Sequence, residues 1–271
     1  MQHLRRPAVA GTFYPEHALT LARKVKELLG AATDASGGAS KVPKAIIVPH
    51  AGYIYSGATA ALAFACLAPA HAAIKRVVLL GPVHRVPVRG LALSGASCFS
   101  TPLGAVEVDQ DAVAALRDFP QIVTSPPAHA QEHSLEVQLP FLQTILDDFK
   151  LVPLAVGDAT PDEVAQVLDV LWGGPETLIV VSSDLSHFLP YASAQTVDAA
   201  TAEAILHLAT PITHAQACGG TPINGLLVAA RTHHLQPKLL GLCNSGDTAG
   251  DKARVVGYAA FAFTEMKHAA H

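Results

Sequence analysis

Short apolar runs that stop at a proline or a polar residue, separated by longer helical patterns, set the limits on this fold. Ala45–Val48, Arg76–Leu80, Leu151–Val156 and Thr177–Ser183 each hold at least four apolar residues in a short span. Strands buried on both faces read this way, whereas a strand with one wet face alternates. Leu19, Leu21, Val25, Leu28 and Leu29 predict a helix over 15–29, stopped by Gly30. Ala31–Ser40, rich in Ala, Gly and Ser, reads as a surface loop. Ser56 reads as the N-cap of a helix over 57–67. Further helices are expected over 109–119, 134–146, 160–171 (opened by the capping box Thr160-x-x-Glu163), 192–208 and 223–231. Further strands are expected over 90–94, 238–242 and 254–263. Strands alternating with helices predict an α/β fold with a mostly parallel central sheet and helices on both faces. One domain is expected over all 271 residues, with a polar tail from about residue 265 that leaves His268 and His271 solvated.

Composition narrows the function. The net charge is −4 and Arg5-Arg6 is the longest basic run, which argues against a nucleic-acid partner. No stretch approaches the roughly 20 apolar residues of a membrane span. The N-terminal residues lack the apolar core of a signal peptide. A soluble cytoplasmic protein with no membrane partner is expected. The four cysteines, Cys66, Cys98, Cys218 and Cys243, form no C-x-x-C pair, so neither a zinc ribbon nor disulfides are indicated.

Histidines and carboxylates fall where chemistry would want them. Ala45–Val48 runs through Pro49 into His50, and Arg76–Leu80 runs through Gly81-Pro82-Val83 into His84. Thr177–Ser183 leads into Asp184-Leu-Ser-His187, and the strand over 238–242 leads to Cys243-Asn-Ser-Gly-Asp247. In an open α/β sheet, ligands bind beyond the carboxyl ends of the strands. Two histidines and one carboxylate suit non-haem Fe(II), and the same donors would hold a catalytic Zn²⁺. Asp184 and His187, three apart, would share a face of a helical turn, with the carboxylate orienting the imidazole as a general acid or base. Taken alone, Asp184 could equally cap the next helix. Glu132 and His133 read either as partners that orient the ligands or as the opening of the helix over 134–146. Cys218, before Gly219-Gly220, reads as a nucleophile or as a small buried hydrophobe, and Cys243 as a competing soft ligand. No G-x-S-x-G elbow, P-loop or G-x-G-x-x-G is present to support a hydrolase triad or a nucleotide site.

Seven segments in order, RRPAVAGTFYP, VPHAGYIYSG, GPVHR, EHSLEVQLPF, SSDLSH, NSGD and VVGYAAFAF, resemble the Memo family from Arg5 to Phe263. That family is similar in fold to the class III extradiol dioxygenases, which implies a three-layer α/β/α sandwich. The resemblance carries His50 and His84 over as metal ligands. It places the third ligand at Asp247, with Cys243 just upstream as the alternative. Asp184 and His187 match polar pocket positions, and Phe13 and Tyr55 match aromatic pocket-lining positions. It also implies a small-molecule or peptide ligand, with radical-SAM and AMMECR-type proteins as partners. The expected function is a metal-binding redox enzyme of dioxygenase-like architecture, using Fe(II) first, with Cu or Zn as alternatives. A peptide- or partner-binding module and a metal-assisted hydrolase are the competing readings.

Overall fold

The apolar runs pair with one another at the centre of one large sheet. The computed structural model describes residues 3–36 and 41–266. In chain order the strands are β1 (Leu4–Arg5), β2 (Ala45–Val48), β3 (Arg76–Pro82), β4 (Leu91–Leu93), β5 (Cys98–Thr101) and β6 (Gly104–Glu107). They continue with β7 (Ile122–Thr124), β8 (Lys150–Val156), β9 (Thr177–Ser182), β10 (His187–Leu189), β11 (Leu235–Asn244) and β12 (Val255–Glu265). The helices are α1 (Ala18–Ser36), α2 (Tyr53–Ala65), α3 (Gln110–Ala115), α4 (Pro126–Ala130) and α5 (Leu139–Ile145). After them come α6 (Pro161–Leu171), α7 (Tyr191–Leu206) and α8 (Gly220–Thr232).

The large sheet runs β10-β12-β2-β9-β3-β8-β4-β7, with β11 also paired to β12. Its four central strands, β2, β9, β3 and β8, are parallel to one another. Antiparallel neighbours flank them, β12 beside β2 and β4 beside β8. Because successive side chains point to opposite faces, each central strand serves two cores. Ile46, Val48, Val77, Leu79 and Val180 pack with Leu21 and Val25 of α1, Phe64 of α2 and Phe141 of α5. Ala45, Ile47, Val78, Leu80 and Val181 pack with Leu168 of α6, Ile205 of α7 and Leu226 of α8. The result is a three-layer α/β/α sandwich. Each fully buried Leu, Ile or Phe contributes about 1.5–3 kcal/mol of transfer free energy, so the double-faced centre supplies most of the hold. Among the described residues no helix is long and apolar enough to cross a membrane.

Several boundaries differ from expectation, each for a local reason. Helix α1 passes through Gly30 and continues to Ser36, and a Cβ on Gly30 would meet nothing within 4 Å. The alanines after Gly30 are strong helix formers and outweigh a single glycine. The first part of the expected loop over 31–40 is therefore helical, and residues 37–40 lie outside the described residues. Helix α2 starts earlier than expected, at Tyr53, with Gly52 as its N-cap; Ser56 Oγ turns back to Ala51 O at 2.9 Å. The helix expected over 134–146 is a 3₁₀ turn, Glu136–Gln138, followed by the short α5. The side chains of Glu132, Glu136 and Gln138 hold backbone elsewhere, which fixes that turn. Helix α3 is shorter than expected, with Asp109 as its cap. The capping box of Thr160 and Glu163 opens α6 as its spacing predicts. A small sheet, β1-β5-β6, was not signalled by any long apolar run. The expected polar tail beyond residue 266, with His268 and His271, lies outside the described residues.

Two substitutions test this packing by urea denaturation. Gly30→Ala, exposed in a helix interior, raises stability by about 0.5–1 kcal/mol. Phe64→Ala, which empties the site stacked on Phe141 at 4.9 Å, lowers it by about 3–5 kcal/mol.

Candidate metal centre

Adjacent parallel strands bring three strand ends together. β2 ends in Pro49-His50, β3 in Val83-His84, and β9, which lies between them, in Ser183-Asp184. The loop before the Glu136–Gln138 turn crosses these ends and adds His133. Gly81 permits the crossing: a Cβ there would stand 2.8 Å from Ser134 Oγ, which instead donates to Pro82 O at 2.8 Å. One ring nitrogen from each of His50, His84 and His133 lies within 4.8 Å of the others. The ring centroids are 5.2 Å apart for His50 and His84, 5.4 Å for His50 and His133, and 4.8 Å for His84 and His133.

Hydrogen bonds fix where two of the imidazole protons sit. His84 Nδ1 lies 2.9 Å from Glu132 Oε1, and an ionised carboxylate can only accept, so Nδ1 carries a proton and, in the neutral ring, Nε2 holds the lone pair. Ser182 Oγ gives its one proton to Ser134 O at 2.6 Å and accepts from Gln138 Nε2 at 2.8 Å. It is therefore an acceptor for His50 Nδ1 at 2.9 Å, which leaves His50 Nε2 with its lone pair. Glu132 is almost fully buried; Oε2 takes the His84 N–H at 2.6 Å, and Oε1 takes the N–H groups of His133 at 2.8 Å and Ser134 at 2.9 Å. Burial alone would raise its pKa; the His84 hydrogen bond and charge and the backbone donors outweigh this and hold it at about 2.

Electrostatics keep two of the imidazoles neutral. Burial, then the charges that His84 and His133 would carry, push His50 well below the usual imidazole range. Burial lowers His133 to about 4, against the pull of Glu132. A neutral imidazole is the form that binds a metal, so the donor set fits a transition-metal ion.

The remaining candidates fall in several places. His187 lies close enough that its charge would lower His50, and its Nδ1 donates to Leu185 O at 2.8 Å, leaving Nε2 free. Asp184 does not orient it as expected. Residues 183–186 form no helical turn, and Asp184 Oδ1 accepts the His50 N–H at 2.7 Å. Burial raises Asp184 to about 7, partly offset by the His50 and Ala51 N–H groups. Asp247 is outside the cluster, a correction to the expected third ligand. It caps the turn after β11, accepting from Asn244 N at 3.0 Å and from the Tyr191 hydroxyl. β11 lies beyond β12, three strands from β9 and four from β3, so its end does not converge with the others. Cys243 is likewise outside, with Sγ 3.1 Å from Thr59 Oγ1. His133, expected as a supporting residue, stands in the cluster itself. Phe13 packs on His133 with ring centroids 4.8 Å apart, and with Tyr55 it lines a cleft of about 700 Å³.

The sequence reading missed Ser182 and Gln138, and it weighed Cys218 only as a nucleophile or core residue. Cys218 Sγ lies 3.3 Å from His50 Nε2. Gly219 brings it there, since a Cβ would meet Ser183 Cβ at 2.6 Å. Burial, then the Asp184 charge, push the Cys218 thiol up to about 12. The signal for Ser134, Glu136 and Gln138 was present: polar residues at 132, 133, 134, 136 and 138 follow no helical face.

The sequence matches the family described as Memo-like protein over residues 5–262. The chain belongs to the Memo family. A relative in Archaeoglobus fulgidus, named "MEMO1 family protein", is 36% identical, covering 96% of this chain and 99% of its own length. One in Metallosphaera sedula with the same name is 32% identical over the same shares, 96% and 99%. Among solved structures, the uncharacterized protein JW3007 of Escherichia coli K12 overlays 81% of this chain and 99% of its own at 14% identity, with a TM-score of 0.47.

The titrations carry opposite signs. The folded chain holds His133 near 4 against an ordinary 6.5, so the unfolded chain takes up the proton first. That contribution is complete above about pH 6.5 and is lost as pH falls toward 4. Asp184, raised to about 7 from 3.8, works in reverse: its contribution is complete below its ordinary value and lost as pH rises through 7. In urea denaturation across pH, His133→Gln flattens the acid-side loss and Asp184→Asn flattens the loss toward neutrality.

Proposed function

We propose that this Memo-family protein is a metal-dependent oxidoreductase in which His50, His84 and His133 hold one Fe(II) or Cu ion. The observation that carries this reading is the grouping of the three rings, with Ser182 and Glu132 accepting the Nδ1 protons of His50 and His84, so that Nε2 is the nitrogen each neutral ring offers to an ion. Cys218 Sγ also lies 3.3 Å from His50 Nε2, outside the three-histidine group. Imidazole suits iron, copper and zinc alike, and a redox-active ion would supply one-electron chemistry to a bound substrate.

The chain's own residues supply the rest. His84 is the most exposed member of the cluster, so substrate enters from its side. Phe13 and Tyr55 give the neighbouring cleft an apolar wall for the body of a small molecule or peptide side chain. His187 accepts a proton at Nε2, because Leu185 O already holds the proton on Nδ1. Asp184 fixes the His50 backbone rather than His187. The free thiols are in keeping with work in a reducing compartment such as the cytoplasm.

One observation favours a second reading. No carboxylate stands among the three grouped donors, and three imidazoles with an open position also form a hydrolytic zinc site.

Metal analysis of untagged protein purified without oxygen separates these readings. About one iron or copper per chain is expected, as for a mononuclear three-imidazole site, and His84→Ala should lose it. Zinc alone, bound through the same histidines, would overturn the redox reading in favour of hydrolysis. No ion, and no uptake of any of the three, would overturn both.

A further inference from the structure

The N-terminal segment braces the loop that carries Glu132 and His133. The Glu136 carboxylate is fully buried and takes four donors, all from residues 5–14. They are Arg5 Nη1, Ala8 N at 2.7 Å, Val9 N at 3.0 Å and the Tyr14 hydroxyl at 2.6 Å. The other nitrogens of Arg5 reach the end of α4 and the loop that follows it. Nε donates to His129 O at 3.0 Å, and Nη2 donates to Glu132 O. That last carbonyl belongs to the peptide joining Glu132 to His133. One guanidinium, itself buried, thus ties a buried carboxylate to a carbonyl at the end of α4 and to one in the loop.

Between the end of α4 at Ala130 and the turn starting at Glu136, the loop lies in no helix or strand. Its position must come from outside contacts. Ser134 meets Pro82 and Ser182, and Arg5 fixes the segment on the far side of Glu132. Metal–ligand distances tolerate only about 0.2 Å of error, a far tighter demand than folding makes.

We propose that Arg5, acting with Glu136, is a positioning residue for the histidine cluster. It sets the loop over 129–136 so that Glu132 meets His84 while His133 faces His50 and His84. The proposal rests on the metal-site reading above. Lysine cannot replace it, because a point charge on a flexible stem does not span three acceptors as a planar fork does.

The test uses the full chain with three variants. Arg5→Lys keeps a charge beside Glu136 but gives up the fork. Arg5→Gln combined with Glu136→Gln removes both charges together, so neither is left buried alone. Leu227→Ala, buried on α8 across the sheet, controls for lost stability alone. Two quantities are read: Co(II) affinity by chelator competition, and the His84 Nδ1–H resonance of the metal-free protein by ¹⁵N NMR.

Both Arg5 variants should weaken Co(II) binding about tenfold, the lower end for groups that orient a metal ligand, and shift or broaden the His84 signal. Leu227→Ala should bind Co(II) within about twofold of the unaltered protein, as expected for a distant site. Folded Arg5 variants with unchanged affinity and an unmoved His84 resonance would overturn the proposal. Failure of both variants to fold would overturn it too, by assigning Arg5 to the core alone. If the unaltered protein takes up no Co(II), the metal-site reading fails, and the His84 resonance still decides the positioning claim.

Discussion

The candidate centre depends on one buried carboxylate. Glu132 accepts from the backbone and ring of His84 and from the backbone of His133 and Ser134. A buried carboxylate without such donors would be costly and would neutralise instead. Here the cost of burial is offset by the bonds that also orient the His84 imidazole and hold the backbone of His133. A second carboxylate four residues on, Glu136, fastens the N-terminal segment to the same loop. Both faces of the loop are therefore held by charge that has no other place to go.

The sheet supplies the other half of the geometry. β2, β9 and β3 are parallel neighbours, so their carboxyl ends open at one edge, and Val48 stands in register with Ser182. That register puts the Ser182 hydroxyl within hydrogen-bond reach of His50 Nδ1 and sets its tautomer. The apolar centre of the strands and the polar groups at their exits are parts of one arrangement. Burial between two helical layers makes the strands rigid, and a rigid strand end can hold an imidazole to the tolerance a metal requires.

Much of the fold was legible because the central strands are nearly pure apolar runs, as Leu178 to Val181 shows. The small sheet was not legible, because Cys98–Thr101 and Gly104–Glu107 are short and mixed in character. His50 and His84 stood out by position after strand and proline. His133 and Cys218 did not, since each reaches the site from a loop whose course depends on Gly81 and Gly219 lying against residues distant in sequence, Ser134 and Ser183. Asp247 looked equivalent in sequence to the other strand exits. Strand order, which no local pattern encodes, places it three strands from β9 and four from β3.

A crystal of the cobalt-loaded protein, measured at the cobalt absorption edge, tests the central claim most directly. The account predicts one anomalous peak about 2.0–2.2 Å from a ring nitrogen of each of His50, His84 and His133, the usual distance for imidazole ligation. A peak held by other residues, with these three rings bare, would contradict it.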